Sequence, residues 1–171
     1  EELVFVDKPG IYSLCPLYFE EEVATKTIIQ SPDAKILNIC DQNNLQRNLY
    51  LTLCLIEKGC DVVLAINEID KKPIFKVDAK KLSQVLGIDV VLINAEKKIG
   101  LDELKKCLTT SRPADPKKLT YFGTLHSQKG GDLFQTIKFF ERDERYFDEK
   151  KSFENLPKNS VQQISTLRYN F

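Results

Sequence analysis

Residues 34–67 read AKILNICDQNNLQRNLYLTLCLIEKGCDVVLAIN, and the order of patterns inside them decides the fold. Ala34 to Cys40 and Val62 to Ile66 are short runs rich in Ile, Leu and Val, as expected of strands covered on both faces in a parallel sheet. Between them, Leu45, Leu49, Leu53 and Ile56 recur at helical spacing, giving a helix from about Leu45 to Lys58 closed by Gly59. Strand, helix and strand at this spacing form a right-handed βαβ unit.

The alternation continues in both directions. Leu3 to Val6 and Asp89 to Ile93 are similar apolar runs, so four parallel strands are expected. Phe19 to Ile29 reads as a helix whose first turn, Glu20 to Glu22, is solvated and complements the helix dipole. Asp78 to Leu86 is a third helix, capped by Asp78 and ended by Gly87, and Leu101 to Leu108 a fourth. The expected architecture is a doubly wound, mainly parallel α/β layer over residues 1–109. Residues 110–118, TSRPADPKK, hold two prolines and no apolar periodicity and read as a linker. Residues 119–171 follow as a helical appendage and tail, with Leu133, Ile137, Phe140 and Phe147 on one face of a helix and a short helix or frayed end after Lys158.

Composition excludes several functions. The 171 residues carry 25 basic and 25 acidic side chains, a formal charge of zero, which removes the usual drive toward nucleic acid or anionic lipid. No apolar stretch approaches the roughly 18 to 20 residues of a membrane helix, so no transmembrane segment is expected. Cys15, Cys40, Cys54, Cys60 and Cys107 contain no CxxC pair and suit a reducing, cytosolic setting. Cys15 has no evident base partner and reads as an inert thiol. The lone histidine, His126, assembles neither a metal cluster nor a catalytic triad. With no methionine and a Glu1-Glu2 start, the first residue is not expected to be where translation began.

Ligands of open α/β sheets bind at the carboxyl ends of the strands. After the first apolar run comes Asp7-Lys8-Pro9-Gly10: an aspartate there can hold magnesium through water, and a glycine lets a backbone N–H approach phosphate. The same residues also make an ordinary turn. After the third run comes Asn67-Glu68-Ile69-Asp70, which fits the Asn-x-x-Asp element with which GTPases read guanine, the Asp70 carboxylate accepting from the ring and exocyclic nitrogens. A helix cap is the alternative. After the fourth run, Asn94-Ala95-Glu96 with Gly100 suits the Ser-Ala-x loop whose amide meets the guanine keto oxygen, although Asn94 replaces serine. Their common order, each at a strand end, favours a guanine-nucleotide fold.

Asp41 to Leu53, DQNNLQRNLYLTL, closely resembles the Asp-Ala-x-Asn-Leu-x-Arg-Asn-Leu-Tyr-Leu-Thr-Leu signature of the G domain of the ferrous-iron transporter B family, FeoB. Core packing explains Leu45, Leu49 and Leu53 but would not require Asn44, Arg47, Asn48, Tyr50 and Thr52 in that order. Asp7 to Leu14 is similar to the family's Asp-x-Pro-Gly-x-Tyr-Ser-Leu, and Ile137 to Glu144 is more loosely similar to a stretch of its helical domain. The resemblance implies a Ras-like, P-loop NTPase-type sheet missing its first strands, with a small α-helical appendage. It further implies GTP or GDP as ligand, bound by Asp7, Lys8, Pro9, Gly10, Asn67, Glu68, Asp70, Asn94, Ala95 and Glu96, with Mg2+ held at Asp7. It also implies a cytosolic location and, in a full-length protein, a membrane-embedded iron permease domain as partner.

No Gly-x-x-x-x-Gly-Lys-Ser/Thr occurs in the sequence, so the polyphosphate cradle and a magnesium-ligating hydroxyl are missing from these residues. Weak GTP binding and no hydrolysis are therefore expected of this chain. In a Ras-like sheet the missing first strand would lie between Leu3–Val6 and Ile36–Cys40, so either these two pair directly or residues outside the chain complete the sheet. The alternative function is a degenerate G domain acting as a nucleotide-independent interaction module.

Overall fold

In the computed structural model, which describes residues 4–68, 76–119, 133–141 and 160–169, three parallel strands form one sheet. They are β1 (Lys35–Asp41), β2 (Asp61–Asn67) and β3 (Asp89–Ile93), in the spatial order β1-β2-β3. Asp41 lies beside Asn67, and Asn67 beside Ile93, so the carboxyl ends of all three strands share one edge. Around them run α1 (Phe19–Gln30), α2 (Leu45–Glu57), α3 (Ala79–Leu86), α4 (Leu101–Thr110), α5 (Leu133–Phe140) and α6 (Ser160–Tyr169).

Side-chain alternation along β2 assigns the layers. Val62, Leu64 and Ile66 join a core with Leu53 and Ile56 of α2, Leu86 of α3, Ile137 of α5 and Ile164 of α6. Val63 and Ala65 point the other way and pack with Val91 and Ile93 of β3 and Leu104 and Leu108 of α4. Helices therefore cover both faces, which is why β2 is an unbroken apolar run. A fully buried aliphatic side chain contributes about 1.5–3 kcal/mol, so this two-sided burial dominates any helix propensity. Leu51 to Glu57 of α2 are all buried, because α2 is sandwiched between the sheet and the two C-terminal helices.

Local chemistry sets the boundaries. Asp78 accepts from the Lys81 N–H at 3.0 Å and starts α3, and Gly87 ends it at φ +69°, a left-handed conformation that costs a side chain energy. Gly100, at φ +77°, is under a stronger constraint: a Cβ there would lie 2.3 Å from the Leu92 carbonyl oxygen. Residues 110–118 are not an extended tether. α4 runs through Thr110, a 3-10 turn occupies Pro116–Lys118, and the Ala114 N–H donates to the Cys60 carbonyl at 2.9 Å.

One expected strand does not form. Val4, Phe5 and Val6 are 84%, 67% and 69% exposed and lie outside any strand, and β1 pairs with β2 alone among the described residues. Direct pairing of this run with Ile36–Cys40 is thus excluded. Apolar character suits a buried strand only where neighbours supply both hydrogen bonds and cover, and here the segment has neither. The helix expected to reach Phe147 is seen as Leu133–Phe140, the remainder lying outside the described residues, and the end after Lys158 contains α6. No described helix is long and apolar enough to cross a membrane.

Candidate functional site

The loops leaving β2 and β3 are tied to each other by side chains. Asn67 Oδ1 accepts from the Ala95 N–H at 3.1 Å, and Asn94 Nδ2 donates to the Glu68 carbonyl at 2.9 Å. Asn94 Oδ1 also accepts from the Lys97 N–H at 2.8 Å, and its backbone pairs with Ile99 in both directions. The Glu68 N–H completes the tie by donating to Ile93 O at 2.7 Å. Asn94 thus bonds Glu68 and Lys97 through the two ends of one side-chain amide. Asn67, Glu68, Asn94 and Ala95 are thus brought together; Glu96 is exposed beside them, and Asp70 lies outside the described residues.

Asp7, Lys8, Pro9 and Gly10 are exposed and form no regular element. A Cβ added at Gly10 would meet nothing within 4 Å. Gly10 borders a polar cavity of about 430 Å³ at the carboxyl end of β1, lined also by Tyr12, Asn38, Asp41, Arg47 and Asn48. Since Asp41 sits beside Asn67 in the sheet, this cavity and the tied loops occupy the same edge. Among the described residues no three His, Cys, Asp or Glu side chains are grouped to hold a metal. Asp7 is a single exposed carboxylate.

The signature on α2 receives a residue-by-residue explanation. Asp41 accepts from the Asn43 N–H at 2.9 Å and from Asn44 Nδ2 at 2.8 Å, and its carbonyl takes a longer bond from Asn48 Nδ2. Asn38 Nδ2 donates to Thr52 Oγ1 at 2.9 Å, joining β1 to α2. The Arg47 guanidinium lies 3.9 Å from the Tyr12 ring centroid, a cation–π contact between α2 and the segment after Gly10. Tyr50 turns away from the cavity toward Arg168.

That last contact belongs to a cluster the sequence reading missed. Arg168 of α6 donates from Nε and Nη2 to both Glu57 oxygens at 2.8 and 2.6 Å, and from Nη1 to Glu141 and the Tyr50 hydroxyl. Lys138 Nζ donates to Glu141 Oε2 and to Cys15 Sγ, each at 2.8 Å. The Arg168, Glu57 and Lys138 side chains are at most 1% exposed. Burial alone would raise the Glu141 carboxyl, but Arg168 and Lys138 bring it below the usual 4.5. Burial opposes the charge on Lys138, yet Glu141 and Cys15 hold its pKa above 10.5. Burial pushes the Tyr50 hydroxyl and the Cys54 thiol each up to about 12. Cys15 is therefore not partnerless. The legible signal was a lone Arg in the otherwise uncharged α6 and a Lys–Glu pair at i,i+3 beside apolar residues of α5.

Comparisons with known proteins agree with this geometry. The family profile for ferrous iron transport protein B matches residues 1–108. The Fe(2+) transporter FeoB of Salmonella choleraesuis (strain SC-B67) is 32% identical over 138 residues, 77% of this chain, and that of Legionella pneumophila (strain Paris) is 36% identical over 121 residues, 67% of it. The chain spans only 18% and 16% of the length of these relatives. An mGMPPNP-bound NFeoB from S. thermophilus superposes with a TM-score of 0.67 at 33% identity, covering 95% of this chain and 66% of that one. The cytosolic domain of L. pneumophila FeoB gives 0.71 at 27% identity, with 95% and 74% covered. The tied loops after β2 and β3, the α2 signature and these matches lead to one conclusion: the chain belongs to the FeoB family, as part of its Ras-like cytosolic G domain.

Proposed function

We propose that the carboxyl edge of this sheet is the base-reading side of a guanine-nucleotide site, serving ferrous iron transport in a full-length protein with a membrane-embedded permease domain. The observation that carries the reading is the cross-tie of Asn67 to Ala95 and of Asn94 to Glu68, which holds two loops at the edge where a base would lie. Asp70, two residues beyond Glu68, accepts the guanine ring and exocyclic N–H groups, and the Ala95 amide exchanges Asn67 for the keto oxygen. Gly10 and Lys8 approach phosphate, with Pro9 shaping the turn and Glu96 at the rim of the base loop. Asp7 holds Mg2+ through water, and the ion, when bound, neutralises phosphate charge. The S. thermophilus relatives solved with mGMPPNP and with GDP support the choice of guanine.

With no phosphate-cradling loop in the sequence, the chain binds GTP and GDP weakly and does not hydrolyse GTP. Calorimetric titration of GDP, GTP, ADP and ATP with magnesium tests this: weak binding that prefers guanine is expected, and equal binding of adenine nucleotides would overturn it. A second reading, a degenerate G domain that binds a partner without nucleotide, draws on exposed Leu17, Tyr18 and Phe19 beside the segment after Gly10. A guanine preference in the same titration decides against it.

A further inference from the structure

The five cysteines sit in unlike surroundings. Cys40, Cys54 and Cys60 are buried, and Cys15 and Cys107 are half-buried. Burial pushes the Cys40 and Cys54 thiols each up to about 12 and raises the Cys60 thiol as well. Cys107 is raised by burial and by the carboxylates of Asp89 and Glu103. Cys15 is both reached by solvent and in contact with a cation: Lys138 Nζ lies 2.8 Å from its Sγ, with Glu141 Oε2 at 3.5 Å. The sulfur is held where it is, because Leu14 beside it is fully buried and the Cys15 N–H donates to Ser13 Oγ at 3.1 Å. A cation in contact favours the thiolate, the form that attacks peroxide.

The nitrogen is as unusual as the sulfur. The Lys138 side chain is out of solvent, and Glu141 and Cys15 keep its proton on against the pull of burial. We propose that Cys15 and Lys138 form a modification site for hydrogen peroxide, which joins the two side chains through a sulfenamide bond. The thiolate forms an S–O bond as the O–O bond of peroxide breaks, and the departing hydroxide takes the Lys138 proton and leaves as water. A neutral sulfenic acid then faces a neutral amine, and Lys138 has lost one of the negative charges that held its proton. The amine, already in contact with the electrophilic sulfur, forms an S–N bond as the S–O bond breaks, and the hydroxyl leaves as a second water with one amine proton. One peroxide is consumed for each link. A dithiol reverses the step, returning thiol and amine and becoming a disulfide itself.

Peptide mass mapping of this chain after treatment with one equivalent of hydrogen peroxide tests the site. The expected product is a linked pair of the peptides that contain Cys15 and Lys138, lighter than their sum by two hydrogens. Trypsin should no longer cut after Lys138, and dithiothreitol should restore both peptides. Lys138→Arg keeps the cation but offers no nucleophilic amine, so the link should be lost and Cys15 captured by dimedone as the sulfenic acid. Oxidation in concentrated urea, where the two side chains are apart, should give no link. Sulfenic acid at Cys15 without a link in the unaltered protein would overturn the proposal, as would oxidation of Cys107 ahead of Cys15 or a link that forms equally in urea.

Discussion

Glu57 and Gly100 show how strictly single positions are held, and for opposite reasons. Glu57 is fully buried with Arg168 bonded to both of its oxygens, so Glu57→Ala removes one of the two carboxylates that this buried guanidinium holds, the other being Glu141. The expected loss is about 3–5 kcal/mol, read from urea unfolding, whereas replacing both residues by apolar ones of similar volume should recover much of it. At Gly100 the constraint is backbone: φ is +77° and a Cβ would meet the Leu92 carbonyl oxygen, so Gly100→Ala must shift the loop that carries Asn94 and Ala95. Gly10 is the contrast. Nothing surrounds it, so Gly10→Ala should change the unfolding midpoint by no more than the small effect of an exposed substitution, about 0.5 kcal/mol, while weakening any phosphate-bearing ligand. Residue roles were unevenly legible in the sequence. Asn44, Arg47, Asn48, Tyr50 and Thr52 stood out because packing did not require them, and each has a polar or ring partner. The Arg168–Glu57 pair did not, since its members are 111 residues apart and no local pattern links them.

At the scale of elements, docking of α5 and α6 carries a pH dependence. Glu141 is held below its ordinary 4.5, so its contribution is complete above that value and is lost as pH falls through the lowered one. Lys138 is held above 10.5, so its contribution is complete below 10.5 and is lost only as pH rises through the raised value. The helices should therefore stay docked around neutral pH and release in acid, seen as faster hydrogen exchange of residues 133–141 and 160–169 once the pH has fallen below the carboxyl's ordinary 4.5 and through its lowered value. α3 depends on a cap instead: Asp78→Ala should cost about 1 kcal/mol without touching the C-terminal helices. The elements that sequence reading located correctly, α1, β1, α2, β2, α3, β3 and α4, are those marked by local patterns of apolar runs, helical spacing and caps. Val4 to Val6 is an apolar run like those that form strands, but strand formation also needs a hydrogen-bonding edge, which composition does not encode.

For the whole molecule, the three strands end together at Asp41, Asn67 and Ile93, which gathers the loops after them on one edge, while α2 packs between the sheet and the C-terminal helices. The parallel order was readable because helices punctuate the apolar runs; the docking of the C-terminal helices was not, because contacts such as Cys15 with Lys138 join the first and last fifths of the chain. The central claim is that Asp70, three residues after β2 in the sequence, reads guanine. Its most direct test is a calorimetric comparison of GDP, xanthosine diphosphate and ADP binding to this chain and to Asp70→Asn, each with magnesium. The carboxylate accepts two N–H bonds from guanine, whereas an amide donates to the keto oxygen that xanthine carries in place of the amino group. The account predicts that the unaltered chain prefers GDP and that Asp70→Asn moves the preference to xanthosine diphosphate. Equal binding of all three nucleotides, no binding of any, or a preference unmoved by the substitution would contradict it.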